Sequence, residues 1–246
     1  MKTVVTFPEK PCIRAHEMYK LFTDGRKKGE LSETAKKLAH SVIAQSLGKT
    51  KKVTSVYLEK GIVVEQPAID YFNYVFGTDF KKNNKQFISD YMSGTPDIIA
   101  ENQIIDIKCS YDIETHFDNI VQKEFTKQYY YQLQTYMLLC GFSFANVVYI
   151  LMPTPEHILQ KQARALEYKH VDYESCLNEL LEQNETILNL PDYVRIKSFG
   201  VLRDKNFVKE FFERYEKFCE YYKFVVEKIK SNQYEINNKT AAHFRS

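Results

Sequence analysis

No run of this 246-residue chain is long and apolar enough to span a bilayer, and the apolar stretch in Met1–Pro8 is too short for the core of a secretory signal. The sequence therefore predicts a cytoplasmic protein without membrane contact. Its five cysteines, Cys12, Cys109, Cys140, Cys176 and Cys219, are odd in number and include no Cys-x-x-Cys pair. That pattern argues against a disulfide framework and an iron–sulfur cluster, leaving reduced thiols as the expectation. A phosphate-cradling Gly-x-x-x-x-Gly-Lys loop is missing, as are a helicase segment and any internal repeat, which removes motor and solenoid classes. Charge of one sign is missing too. Lys and Arg number 34 against 32 Asp and Glu, so any contact with a polyanion has to come from local patches.

What the chain does have is the composition of a packed protein, 44% apolar and 14% aromatic. It also has one stretch where charge and apolar character collide. Ser93 to Ser110 reads Ser-Gly-Thr-Pro-Asp-Ile-Ile-Ala-Glu-Asn-Gln-Ile-Ile-Asp-Ile-Lys-Cys-Ser. The isoleucines predict two strands, Pro96–Ala100 and Gln103–Cys109, joined by a tight turn at Glu101-Asn102. Counting outward from the turn pairs Ile99 with Ile104, Ile98 with Ile105 and Asp97 with Asp106. Directly opposed side chains lie about 4.5–5.5 Å apart on one face, and Lys108 shares that face. Two carboxylates so placed either point into water or share a cation, and hard oxygen ligands suit Mg²⁺. The five surrounding isoleucines indicate burial, which favours the shared cation.

Ahead of this hairpin, Leu58, Ile62, Ile69 and Phe72 recur at helical spacing and predict a helix from about Val56 to Val75, with Pro67 implying a kink or a late start. Glu65 falls inside that apolar stripe. Such a glutamate is either ion-paired at the surface or, facing the acidic pair, a further ligand. Ser32 is the predicted N-cap of an earlier helix reaching about Leu47. The basic loops Arg26-Lys27-Lys28 and Gly48–Lys52 are solvated surface or backbone-phosphate contacts, with Arg26, Lys27, Lys51 and Lys52 as the candidate phosphate-binding cations. Phe87–Met92 reads as a strand and Tyr111–Phe125 as a loop with short helical turns. Lys127–Cys140 reads as a helix ended by Gly141, with Gln128, Gln132 and Tyr136 four apart on one face. Asn146–Met152 is a predicted buried strand. Beyond it come helices over Glu156–Tyr168 and Tyr173–Leu188, a bent or bulged strand over Tyr193–Leu202, and a helix capped by Asp204. The aromatic stripe of that last helix, Phe207, Phe211, Tyr215, Phe218 and Tyr222, reads as core or subunit interface. A polar tail follows Ser231.

Gly94-Thr95-Pro96-Asp97, followed by Asp106-Ile107-Lys108, resembles the signature of the PD-(D/E)XK nuclease superfamily. Gly61-x-x-x-Glu65 and Gln132-x-x-x-Tyr136 are similar to companion motifs of its phage lambda exonuclease and YqaJ-type viral recombinase (RecB-like) branch. The resemblance implies an α/β, restriction-endonuclease-like core: a central mixed sheet flanked by helices, with extra C-terminal helices. All of it would form a single nuclease domain over 1–246, with the catalytic core at about 56–152 and a helical extension at about 153–246. It also implies an Mg²⁺-dependent deoxyribonuclease, with Mn²⁺ substituting, that degrades duplex DNA from a 5′ end in phage-type recombination. Glu65, Asp97, Asp106 and the Ile107 carbonyl would hold the metal. Lys108, Gln132 and Tyr136 would complete the catalytic set, and Arg14 would bind the 5′-phosphate. A ring-shaped homotrimer and a single-strand annealing partner come with the same resemblance. Two alternatives stand beside it. A structure-specific or RecB-like endonuclease would use the same chemistry. A catalytically silent DNA-binding module of the same fold would be expected to have lost an acid or the lysine, whereas Glu65, Asp97, Asp106 and Lys108 are all present.

Overall fold

A computed structural model describes residues 6–27, 29–48, 55–121, 126–167 and 172–231. In chain order the elements are β1 (Ile13–Arg14), a 3-10 turn (Ala15–Glu17), α1 (Met18–Leu21), α2 (Glu33–Ser46), α3 (Val56–Phe76), β2 (Phe87–Ile88), β3 (Met92–Gly94), β4 (Ile98–Ile99), β5 (Ile104–Ser110), α4 (Ile113–Val121), α5 (Lys127–Cys140), β6 (Phe144–Leu151), α6 (Glu156–Glu167), α7 (Tyr173–Asn189), α8 (Asp192–Arg195), β7 (Ile196–Leu202) and α9 (Phe207–Ser231). The chain divides into two compact units, one of Cys12–Tyr19 with Lys51–Phe207 and one of Met1–Pro11, Lys20–Thr50 and Val208–Ser246. Among the described residues no helix is long and apolar enough to cross a membrane.

The larger unit is organised on a four-stranded sheet in the order β4-β5-β6-β7. β5 and β6 are parallel and the outer pairs antiparallel, so the sheet is mixed, as expected. Side chains alternate along a strand, so β5 serves two faces. Ile105 and Ile107 pack with Val64, Ala68, Ile69 and Phe72 of α3. Ile104 packs on the other face with Leu133, Tyr136 and Met137 of α5. Coverage of both faces is why Ile104 and Ile105, neighbours pointing opposite ways, are both apolar and buried.

Both flanking helices follow local rules. The Ser55 hydroxyl accepts the Leu58 amide to cap α3, which begins at Val56 and passes through Pro67 without a delayed start. Pro67 is exposed, so the carbonyl it leaves unpaired four residues earlier, at exposed Val63, sits on the wet side of the helix. α5 starts and stops where predicted, ended by Gly141 at φ 78°, a left-handed conformation that favours glycine.

Three expectations are corrected. Phe87–Met92 is not one strand leading into the hairpin. The Ser89 hydroxyl accepts the amides of Tyr91 and Met92 and turns the chain, and the resulting β2 and β3 join β1 in a separate sheet ordered β1-β3-β2. Tyr111–Phe125 is not mainly loop, since it carries the nine-residue helix α4. Its periodicity was masked because its buried residue is polar. His116 is bonded through Nδ1 to the Ser110 hydroxyl at 2.9 Å and through Nε2 to the Val194 carbonyl at 2.8 Å. Finally, the strand expected over Tyr193–Leu202 begins only at Ile196, because Asp192–Arg195 forms α8, and β7 is not bulged but pairs continuously with β6 from Phe144↔Leu202 to Ile150↔Ile196. Its change of phase arises because Ile196 covers the α3 side of the sheet while Phe199 and Val201 cover the α5 side.

In the smaller unit the Ser32 hydroxyl accepts the Ala35 amide at 3.0 Å and caps α2, as predicted. Phe211, Tyr215, Phe218 and Tyr222 of α9 are buried, so the stripe is core. Successive rings stack at centroid distances of 5.1 and 6.2 Å, and the Tyr215 hydroxyl donates to the Pro11 carbonyl. The tail beyond Ser231 lies outside the described residues.

Candidate active site

The hairpin register is the counted one: Ile98↔Ile105 and Ile99↔Ile104, with the Ala100 amide donating to the Gln103 carbonyl. β4 is only two residues long. Where a third ladder pair would form, the Asp97 carboxylate takes the position instead, its Oδ2 accepting the Ile107 amide at 2.7 Å. Asp106, next on β5, is 1% exposed. Its Oδ2 lies 2.6 Å from Lys108 Nζ, and its Oδ1 accepts from Gln132 Nε2 at 3.2 Å. The same Gln132 nitrogen donates to the Tyr136 hydroxyl at 3.0 Å. The four-residue spacing on α5 thus becomes a Tyr136–Gln132–Asp106 chain. Gln134 faces elsewhere, accepting the Asp204 amide and donating to the Leu202 carbonyl.

Gly94 explains the glycine of the motif. A Cβ there would lie 2.5 Å from the Tyr136 ring and 3.0 Å from the Ala15 Cβ, so only glycine admits the ring against the strand.

Burial and the neighbouring Asp106 charge push the Asp97 carboxyl up to about 7, against the pull of Lys108 and the Ile107 amide. Burial likewise raises Asp106, against the opposing effect of Lys108. For Lys108 burial disfavours the charge, yet the carboxylates of Asp106 and Asp97 outweigh it and hold the ammonium above its ordinary value. Lys108 Nζ also sits 5.1 Å from the centroid of the Tyr129 ring.

Glu65 lies on α3, its Oε1 3.0 Å from Lys82 Nζ. It is close enough that its charge contributes to raising both Asp97 and Asp106. Among the described residues no three His, Cys, Asp or Glu side chains are grouped as a ready metal cage. The donor set nevertheless fits Mg²⁺, which is held by one or two carboxylates plus water and substrate phosphate rather than by an all-protein cage. Asp97 and Asp106 are two oxygen donors, and the Asp106 charge that helps raise Asp97 is what a divalent cation would offset. Ile107 itself contributes its amide to Asp97, and its side chain packs in the core on the α3 side.

Arg14 is exposed and lines a cavity of about 240 Å³ with His16, Gln86, Ser93, Thr95 and Tyr136. Through Tyr136 this cavity adjoins the carboxylate cluster. Arg26 and Lys27 lie in the smaller unit, both exposed, on a loop closed by the Asp24↔Leu31 bridge. Lys51 and Lys52 fall outside the described residues. Sequence reasoning passed over Lys82, Tyr129, His16, Ser93 and Thr95. Tyr129 could have been found, being three residues before Gln132 on one helix face. Lys82 reaches the site from an irregular segment and His16 from a single 3-10 turn, both too short for periodicity to give warning.

No protein-family model and no curated protein sequence matches the chain. Solved structures do match. A phage-related exonuclease from Haemophilus somnus 129PT is 21% identical with a TM-score of 0.71, covering 89% of this chain and 96% of that one. An alkaline exonuclease, LHK-Exo, from Laribacter hongkongensis is 15% identical with a TM-score of 0.63, covering 91% and 93%. LHK-Exo in complex with dAMP superposes equally well, with a TM-score of 0.62 at 16% identity over 91% and 93%. The chain has the fold of these exonucleases over nearly its whole length.

Proposed function

We propose that this protein is a divalent-metal-dependent deoxyribonuclease that degrades linear duplex DNA from 5′ ends, in the manner of phage recombination exonucleases. The observation that carries the reading is the convergence of Asp97, Asp106, Lys108 and Gln132 on one buried face of β5, in a fold shared with exonucleases. Asp97 and Asp106 would hold Mg²⁺, with Glu65 and the Ile107 carbonyl as further oxygen donors. Bound there, the ion would polarise a phosphodiester oxygen and acidify water. Lys108, kept charged by its two carboxylate neighbours, stabilises negative charge accumulating on the phosphoryl oxygens. Gln132 orients Asp106, and Tyr136 orients Gln132 while walling the Arg14 cavity. Arg14, with Ser93 and Thr95 beside it, suits a terminal phosphate recognised by charge-assisted hydrogen bonds. The dAMP bound by LHK-Exo is the type of product this reaction releases. A homotrimeric ring, a single-strand annealing partner, backbone contacts through Arg26 and Lys27, and a cytoplasmic location belong to the same proposal.

The test is digestion of end-labelled linear duplex against a covalently closed circle, with and without chelator. The expected result is Mg²⁺-dependent release of nucleotides, faster from 5′-phosphate than 5′-hydroxyl ends, with the circle resistant. Arg14→Ala should erase most of the end preference. Equal cutting of circle and linear DNA would reject the exonuclease reading, and undiminished activity in chelator would reject the metal.

A further inference from the structure

Lys82 is bound to the carboxylate cluster by its backbone as well as by its charge. Its main chain bridges antiparallel to Ile98 of β4. The next residue, Asn83, donates its amide to the Asp97 carbonyl at 2.7 Å and its side-chain nitrogen to the Pro96 carbonyl at 2.8 Å. Upstream, the Asn73 side chain of α3 holds both the amide and the carbonyl of Phe80, each at 2.9 Å. The segment from Phe80 to Asn83, between α3 and β2, is therefore pinned at both ends, and Lys82 Nζ is delivered 3.0 Å from Glu65 Oε1. Its neighbours are spent elsewhere: Lys81 pairs with Asp79, and Lys85 lies 5.0 Å from the Phe87 ring. With every group ionised, Glu65, Asp97 and Asp106 face two ammonium groups, Lys82 and Lys108, and one negative charge is left over. A divalent cation needs more than that, and Lys82 both repels it and occupies one of its donors.

We propose that Lys82 is a resident counter-ion which a divalent metal has to displace from Glu65, so that Lys82 sets the metal affinity of the site. This rests on the metal reading of the preceding subsection. While Lys82 holds Glu65, the metal binds the free protein weakly. The additional negative charge of a DNA phosphodiester tips the balance, and the displaced ammonium is left beside that phosphate. Metal loading is thereby coupled to the presence of DNA, and Lys82 acts as a positioning residue for Glu65.

The experiment is titration of Mn²⁺ into the full chain without DNA, followed by calorimetry and by the electron paramagnetic resonance signal of free Mn²⁺. Wild type is compared with Lys82→Met, Lys82→Gln and Lys81→Met, each checked by circular dichroism. Lys81→Met removes the same charge one residue away without touching Glu65. The expected result is binding about fivefold tighter in both Lys82 variants, the scale of one part-exposed ion pair, with Lys81→Met unchanged. Unchanged or weaker binding in the Lys82 variants overturns the proposal. Equal tightening in Lys81→Met also overturns it, because general charge would then be the cause. A wild type that binds no Mn²⁺ strikes at the metal reading itself and is distinguishable from either of those results.

Discussion

The Asp97 carboxylate accepts the backbone amide of Ile107, standing in for the strand residue that would otherwise pair there. Asp106, opposite it, is held by Lys108 and Gln132. The two carboxylates are therefore unequal, which a simple picture of mutual repulsion misses. Asp97→Asn keeps an acceptor for the Ile107 amide and removes a charge that burial disfavours. In chelator at pH 8 it should raise stability by about 1 kcal/mol, the upper range of one cross-strand charge pair. Asp106→Asn strands the Lys108 ammonium and should cost about 1–3 kcal/mol, less than a fully buried broken pair because Lys108 is partly exposed. Thermal or urea unfolding of both variants checks this, and equal shifts would contradict it. Neither should cleave DNA.

Lys108→Ala should abolish cleavage while leaving DNA binding within about threefold of wild type, because its charge is needed where negative charge develops in the transition state. Single-turnover cleavage alongside filter binding separates the two. Wild-type cleavage by this variant would exclude Lys108 from the chemistry.

Gly94→Ala places a methyl group where the Tyr136 ring lies. Displacing that ring should cost about 1–3 kcal/mol and disturb the Gln132 link to Asp106. Tyr136→Leu in the same background, by making room, should restore part of the stability but not the cleavage. Failure of the second substitution to recover any stability would show that the clash lies elsewhere.

Lys60 supplies a pH prediction away from the carboxylates. Its side chain is 1% exposed and its Nζ donates to the Tyr111 carbonyl at 2.6 Å. Burial depresses its pKa to about 8 from an unfolded value of 10.5. Between these values the unfolded chain holds more protons than the folded one, so this group makes stability rise with pH across that window. The full effect is about 3 kcal/mol at about 1.4 kcal/mol per unit. Lys60→Met should flatten the rise in urea-unfolding stability between pH 8 and 10.5. An unchanged slope would place the depression elsewhere.

Much of the fold was legible because it obeys periodicity and capping. The bounds of α5, the start of α3, the Ser32 cap of α2 and the register of the β4–β5 hairpin follow from spacing, the capping serine, Gly141 and the turn. The hairpin facing of Asp97, Asp106 and Lys108 was legible for the same reason, since alternation in a paired strand leaves little freedom. What stayed hidden depends on contacts across the chain. α4 is organised around a buried histidine rather than an apolar stripe, and the β2–β3 turn depends on one serine hydroxyl. For Glu65 both readings were open in the sequence. Its partner Lys82 comes from a loop whose path is set by Asn73 and Asn83, and no local pattern encodes that.

That loop has a consequence for how copies of this protein can meet. A strand at the rim of a sheet exposes a row of amides and carbonyls on which another chain can grow. Along β4 the Lys82 bridge to Ile98 and the Asn83 bonds to Pro96 and Asp97 already occupy those groups. This rim is closed to templated addition of a foreign strand. Any assembly of subunits on this side has to be built from side-chain surfaces, leaving the carboxylate cluster free of a competing backbone.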